Sequence, residues 1–262
     1  MITTNKYTIK AIYTLALSAV GAAAMICTSL RASEADEQIE ASFNKSYACR
    51  IYLKDDAIKI ESKNGVVSLS GQVNEACHKH LAQETVASLP GVQSIDNRLE
   101  VKVEGTDKSD TWIRAKVRSV LALHRNVSGS KTEVDIRDGV ITLRGAATSE
   151  AQRDLATEYA EDVKGVLRVT NVMTLAKSLT KAEETVPETV DDASITAQVR
   201  VALGLHHSTS SVNTKVGTTN GIVTVSGVAK NLAEKTLVTK LAADIIGVRN
   251  VGNNMTIVSA GP

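Results

Sequence analysis

The pattern of hydrophobic and polar residues repeats three times along the chain. Three segments share one pattern: NGVVSLSG (64–71), DGVITLRG (138–145) and NGIVTVSG (220–227). Their last glycines are 74 residues apart (71 to 145) and 82 residues apart (145 to 227), and the flanking apolar positions keep both offsets. A pattern repeated at fixed spacing indicates a tandem array of one structural unit. The sequence therefore predicts three copies of one module.

The second copy shows the order of elements within a module. An apolar residue every four positions from Ile113 to Leu121 predicts a first helix. Alternating residues on both sides of Asp138-Gly139 predict a β-hairpin, whose type I′ turn requires positive φ at both central positions. A second helical pattern follows and ends at Gly165, and the segment RVTNVMTLA then predicts a last strand.

This order, αββαβ, predicts an α+β fold in which two helices cover one face of a three-stranded mixed sheet. A module of about 70 residues has a thin core, so we expect each to be marginally stable alone. The predicted organisation is a signal peptide or N-terminal anchor at 1–34, modules at 35–103, 108–177 and 192–259, and a linker at 178–191.

The first residues have the pattern of a targeting segment. Lys6 and Lys10 precede an uncharged run at 11–30 that is rich in alanine and leucine. A positive start followed by an apolar stretch is typical of a secretory signal peptide. The run is also long enough to span a bilayer if it is retained. We therefore expect export to the periplasm, with cleavage and membrane anchoring as alternatives.

Composition excludes several functions. A net charge of +1 and an aromatic content of 3% argue against a nucleic-acid partner, which would need a basic surface and stacking side chains. Three cysteines are too few for a four-cysteine zinc module. We find no motif for nucleophilic catalysis, phosphate binding or metal hydrolysis. We expect that the chain is not an enzyme and that it uses neither a cofactor nor a metal.

The glycine spacing resembles that of the BON domain, over about 205 of 262 residues. In the first copy the residues that carry this resemblance, each with counterparts in the other copies, are Gly65, Gly71, Gly91, Val92, Ile95 and Asn97. The resemblance implies a non-enzymatic envelope protein that attaches to phospholipid membranes and supports envelope integrity or osmotic stress tolerance. An interaction scaffold or chaperone-like factor for envelope proteins is the main alternative, and a soluble polymer-binding module is a third.

The first helix of the second copy is the candidate membrane contact. Trp112 aligns with Gln38 and Ser194, so the fold does not require an apolar residue there. Tryptophan flanked by basic residues is typical of a helix that lies on an anionic phospholipid surface. The predicted phospholipid-binding residues are Trp112, Arg114, Lys116 and Arg118. The alternative is a solvated helix face with the indole packed on a neighbour.

Two cysteines lie in the first copy. Cys49 aligns with Leu123 and Leu205 at the end of the first helix, and Cys77 lies at the start of the second helix. Both helices cover the same face of the sheet, and exported proteins meet an oxidising compartment. A Cys49–Cys77 disulfide and two buried thiols are the alternatives.

The histidines are predicted to be surface residues. His78 and His80 align with residues typical of a solvated face, and no further ligand cluster is visible beside them. His124 and His206 follow the first helices of copies two and three, where a polar rim near a helix C-terminus explains them.

Overall fold

The computed structural model describes residues 34–102, 110–127, 132–176, 189–209 and 214–258. The predicted signal peptide and most of the predicted linker lie outside these residues. Among the described helices, none is both long and apolar enough to cross a bilayer. The described residues form three modules of the same architecture.

The first module consists of α1 (34–45), a π-helical turn (Ala48–Tyr52), β1 (Ala57–Lys63), β2 (Val66–Val73), α2 (Ala76–Ala87), β3 (Ser94–Asn97) and β4 (Glu100–Val101). The second consists of α3 (Asp110–Leu123), β5 (Thr132–Arg137), β6 (Val140–Ala147), α4 (Glu150–Glu161), β7 (Arg168–Asn171) and β8 (Thr174–Leu175). The third consists of α5 (Asp192–Leu205), β9 (Thr214–Thr219), β10 (Ile222–Ala229), α6 (Leu232–Ala243), β11 (Asn250–Asn253) and β12 (Thr256–Ile257).

Each module has its own mixed sheet. In the second module the central strand β6 pairs antiparallel with β5 and parallel with both β7 and β8. The other two modules repeat this arrangement. The predicted α+β fold with three tandem αββαβ modules is confirmed. One detail differs: the third strand of each sheet is broken into two short segments.

An aspartate in the first turn of each module's first helix holds the hairpin turn. Asp110 accepts hydrogen bonds from the backbone N–H groups of Asp138 at 2.7 Å and Gly139 at 3.0 Å. Both turn residues have positive φ, 48° and 75°, as the sequence predicts. Asp36 and Asp192 make the equivalent bonds in the other modules. This contact fixes the start of the first helix against one end of the sheet.

An asparagine bridges the break in each third strand. In the third module, Asn253 donates through Nδ2 to the Lys235 carbonyl at 2.9 Å and to Thr239 Oγ1 at 2.8 Å, and its Oδ1 accepts from the Met255 N–H at 3.0 Å. Asn171 makes the same set of bonds in the second module. One side chain thus ties the second helix to both strand segments.

We expect Asn253→Ala to lower the free energy of unfolding of the third module by about 1–3 kcal/mol, because three partly buried partners lose their bonds. The neighbouring Asn254 is exposed, so Asn254→Ala is a matched control with an expected effect within about 0.5 kcal/mol. Hydrogen exchange of α6 and β11 in the full chain measures both. Equal protection in the two variants would contradict this role.

The hydrophobic cores are not independent. Buried residues of the first and third modules form one continuous cluster, because α2 packs on α5. The backbone N–H groups of Tyr47 and Ala48 donate to Asp191 Oδ2 at 2.7 Å and Ser194 Oγ at 2.9 Å. Residues 194–199 of α5 are consequently all buried. Contacts between modules therefore enlarge the thin core that each module has by itself.

Candidate functional site

Three segments of the second module meet at one end of its sheet: the start of α3, the β5–β6 turn and the loop before β7. Gly139 of the turn donates its N–H to Asp110 and accepts the N–H of Leu167 at 2.9 Å. Arg168 pairs with Val140, the first residue of β6. Arg114 lies one helical turn after Asp110. We call this end the basic tip and define it by Arg114, Arg137, Lys164, Leu167 and Arg168.

The basic tip combines exposed positive charge with an exposed apolar side chain. Leu167 is 78% exposed, and the four cationic residues around it are also exposed. The equivalent residues of the first module are Glu40, Lys63, Pro90, Gln93 and Ser94. Those of the third module are Thr196, Thr219, Ile246, Arg249 and Asn250. The charge is therefore a property of the second module, because the fold forms without it elsewhere.

The structure separates the four predicted phospholipid-binding residues. Only Arg114 lies at the basic tip. Trp112 is half-buried, with Lys116 Nζ 3.4 Å above its ring centroid, and lines a cavity of about 650 Å³. Residues of all three modules line this cavity, and Cys77 and Leu203 are among them. The indole also packs against the core of its own module.

Arg118 faces the first module. Its Nη1 lies 3.5 Å from Oε1 of Glu75, the residue before α2. Ser119, next to it, donates through Oγ to Glu75 Oε2 at 3.2 Å. The outer part of α3 therefore contributes to a contact between modules. The lipid contact of Trp112, Lys116 and Arg118 stays a prediction.

Cys49 and Cys77 are both free thiols in the structure, and the disulfide between them stays a prediction. Cys77 Sγ lies 2.7 Å from Ser119 Oγ of the second module. Cys49 lies in the π-helical turn, which changes the helical register after α1. Burial raises the pKa of the Cys77 thiol to about 12.

His124 and His206 are buried between the second and third modules, so the predicted polar rim is wrong. Their Nε2 atoms lie 3.2 Å apart. His206 Nδ1 lies 2.8 Å from Asp162 Oδ2. His124 Nδ1 lies 3.3 Å from Asp244 Oδ2 but is not aligned for a hydrogen bond. The pair forms the centre of an interface with a carboxylate on each side.

This interface has approximate twofold symmetry. The two modules are offset by 82 residues in the sequence, so His124 aligns with His206 and Asp162 aligns with Asp244. Each aspartate follows the second helix of its module and accepts bonds from the other module. The sequence signal that could have indicated this interface is the histidine at the same repeat position in these two copies.

Three groups at this interface, His124, Tyr159 and Asp162, have shifted pKa values, and burial raises that of Tyr159. Burial lowers the pKa of His124, and the nearby His206 ring adds to this effect. Burial alone would raise the pKa of Asp162, but hydrogen bonds from His206 and Ser208 outweigh it and hold that pKa below its ordinary value. The structure therefore favours a neutral His124 and an ionised Asp162.

Comparison with known proteins identifies the repeated unit. The BON domain model matches residues 35–103, 109–177 and 191–259. The chain is 29% identical over 163 residues to Osmotically-inducible protein Y of Escherichia coli, covering 62% of this chain and 79% of that protein. It is 30% identical over 142 residues to the 21 kDa hemolysin of Actinobacillus pleuropneumoniae, covering 53% of this chain and 73% of that protein. It is 30% identical over 128 residues to Outer membrane lipoprotein DolP of Haemophilus influenzae, covering 45% of this chain and 66% of that protein.

Proposed function

Because the chain belongs to the BON domain family, we propose that it is an exported, non-catalytic envelope protein that associates with anionic phospholipid surfaces under osmotic stress. The names of two relatives, an osmotically inducible protein and an outer membrane lipoprotein, support the stress response and the location. The basic tip supports the lipid surface as partner. These sources are independent of each other.

The single observation that carries the membrane role is the exposed Leu167 at an end of the sheet that carries four exposed cationic residues against one exposed carboxylate, Asp138. Each basic residue near an anionic surface contributes about 1 kcal/mol, and burial of a leucine side chain contributes about 1.5 kcal/mol or more. With about 1 kcal/mol subtracted for the exposed Asp138 carboxylate, they give about 4–5 kcal/mol, which corresponds to a dissociation constant of roughly 0.2–1 mM. Such binding is reversible, and it weakens with salt because exposed charges are screened.

Sedimentation with vesicles tests this proposal. We expect the full chain to sediment with vesicles that contain phosphatidylglycerol and not with purely zwitterionic vesicles. The double variant Leu167→Asp, Arg168→Glu should reduce the apparent affinity at least tenfold, since it removes the apolar contact and reverses a charge. Arg249→Glu, at the position of the third module that aligns with Leu167, is the matched control and should bind like the wild type.

The outcome that contradicts this contact is equal binding by the double variant and the wild type. Trp112→Ala distinguishes the two membrane predictions. A loss of binding in Trp112→Ala alone would move the contact to the flank of α3, whereas loss in the tip variant alone supports the basic tip. Thermal unfolding of each variant verifies that the modules remain folded.

One observation favours the interaction scaffold as second candidate. Four apolar side chains are exposed where β10 and β12 end and α6 begins: Val228, Leu232, Ile257 and Val258. Leu232 is 67% exposed. Exposed apolar clusters of this kind are typical of protein-binding surfaces. The scaffold role would be supported if the wild type binds no vesicle of any lipid composition and the Leu232→Glu variant no longer binds the envelope proteins that the wild type binds.

A further inference from the structure

The start of α2 departs from the pattern of the other modules. Ser149 and Asn231, at the equivalent position, accept hydrogen bonds from the N–H groups of Gln152 and Glu234 and so cap their helices. Glu75 makes no such bond. Its carboxylate is directed to the neighbouring side chains instead. The helix thus lacks a stabilising cap bond, which indicates that Glu75 has another role.

Glu75, Cys77 and His78 bring three different metal-binding groups together. A carboxylate oxygen, Sγ and an imidazole nitrogen of these residues all lie within 4.8 Å of one another. Cys77 Sγ lies 3.5 Å from Glu75 Oε2. A tetrahedral ion with bonds of about 2.0–2.3 Å places its ligands roughly 3.3–3.8 Å apart, so this pair already has a suitable separation.

A second carboxylate orients the imidazole. His78 Nδ1 lies 2.6 Å from Oδ2 of Asp56, whose side chain is buried. Histidines that bind metal commonly donate the N–H of their other nitrogen to a carboxylate, which fixes the ring and makes it a better ligand. This bond leaves Nε2 of His78 for an ion. It also shows that the predicted solvated face is wrong for His78, although His80 is exposed.

The second module lies directly against this cluster. Ser119 Oγ is 2.7 Å from Cys77 Sγ and 3.2 Å from Glu75 Oε2. Cys77 also lines the cavity between the three modules, so an ion can reach the thiol without unfolding of the chain. The positions that align with Cys77 and His78 hold Ala151 and Gln152, so the fold itself does not require these ligand types.

We propose that Glu75, Cys77 and His78 form a binding site for Zn²⁺ or a divalent ion of the same chemistry. Thiolate, imidazole and carboxylate are the groups that Zn²⁺ takes as ligands. The ion forms bonds to the Cys77 sulfur, which releases its proton to solvent, to His78 Nε2 and to Glu75. Arg118 moves away from the carboxylate, as its exposed side chain allows. All three ligands belong to the first module, and the site is independent of any membrane role.

Metal titration of the full, reduced chain tests this site. We expect one Zn²⁺ per chain and, with Co²⁺ as spectroscopic probe, a thiolate-to-metal absorption band. Cys77→Ser should abolish the band, and His78→Gln should weaken Zn²⁺ binding at least tenfold. Cys49→Ser and His80→Gln are matched controls outside the cluster and should behave like the wild type. Asp56→Asn should weaken binding about 10–100-fold, as loss of an orienting carboxylate does.

The wild type alone decides the main point, because it needs no substitution that could impair folding. Absence of the Co²⁺ band and of Zn²⁺ uptake by the wild type would overturn the proposal. Equal loss of the band in Cys49→Ser and Cys77→Ser would also overturn it. Unfolding curves recorded with a chelator should coincide for the wild type and the Cys77→Ser variant, which separates lost binding from lost folding.

Discussion

Asp244→Ala is expected to separate the second and third modules and to reduce the free energy that holds them together by about 2–5 kcal/mol, as loss of one partner in a buried charged network does. Asp244 is buried after α6. Its carboxylate accepts a hydrogen bond from Tyr159 OH at 2.7 Å and another from Asn126 Nδ2. Alanine removes this acceptor from both donors, and the half-buried Tyr159 hydroxyl loses its partner at the contact between the modules, which is costly.

Small-angle scattering of the full chain measures this separation as an increase in the radius of gyration. Limited proteolysis should show faster cleavage between the modules in the same variant. Asp154→Ala, on the exposed side of α4, removes an identical side chain from a surface ion pair and is expected to change neither observable. An Asp244→Ala chain as compact and protease-resistant as the wild type would contradict the role of this interface.

Acidification from about pH 7.5 to about pH 5 is expected to weaken the interface between the second and third modules, because this pH interval includes the range in which histidine titrates. Burial lowers the pKa of His124 below its unfolded value, near 6.5. The unfolded chain then binds more protons, so stability is present above that value and is lost as the pH falls through the folded pKa. The groups facing this ring are His206, Asp244 and Tyr159. Protonation of His124 places a positive charge on a buried ring whose Nε2 lies 3.2 Å from His206 Nε2.

Asp162 contributes in the same direction but at lower pH. Its pKa is lowered in the folded chain, so its contribution is present above the ordinary aspartate value, near 3.9, and is lost as the pH falls further. The two contributions therefore occur in separate pH ranges. The loss at the higher pH belongs to His124.

Denaturant unfolding at a series of pH values tests this dependence. We expect His124→Gln, which cannot take up a proton, to flatten the curve between about pH 5 and about pH 7. His80→Gln removes an exposed histidine and should leave the curve unchanged. A His124→Gln curve as steep as that of the wild type would assign the dependence to other groups.

The internal repeats predict the fold of each module because every copy obeys the same local rules. The Asp138-Gly139 turn has positive φ at both positions, as the type I′ geometry requires. The order αββαβ and the two covering helices also follow from the periodicity. The break in the third strand does not, because it depends on the three bonds of one asparagine side chain rather than on an apolar pattern.

Contacts between modules are beyond the reach of such an alignment. Leu123 aligns with core positions, yet it packs into the cluster of the first and third modules. Trp112 aligns with polar residues, yet it is half-buried against the core of its own module and lines the cavity between the modules. The basic tip was found only in part, through Arg114, since its other members come from a turn and a loop that only folding brings together.

Hydrogen exchange of the full chain with and without phosphatidylglycerol vesicles is the most direct test of the membrane role. We expect added protection at residues 110–114, 137–139 and 164–168, and unchanged exchange at the equivalent ends of the first and third modules. Protection at 218–222 and 246–250 with none at 164–168 would contradict a membrane contact through the second module.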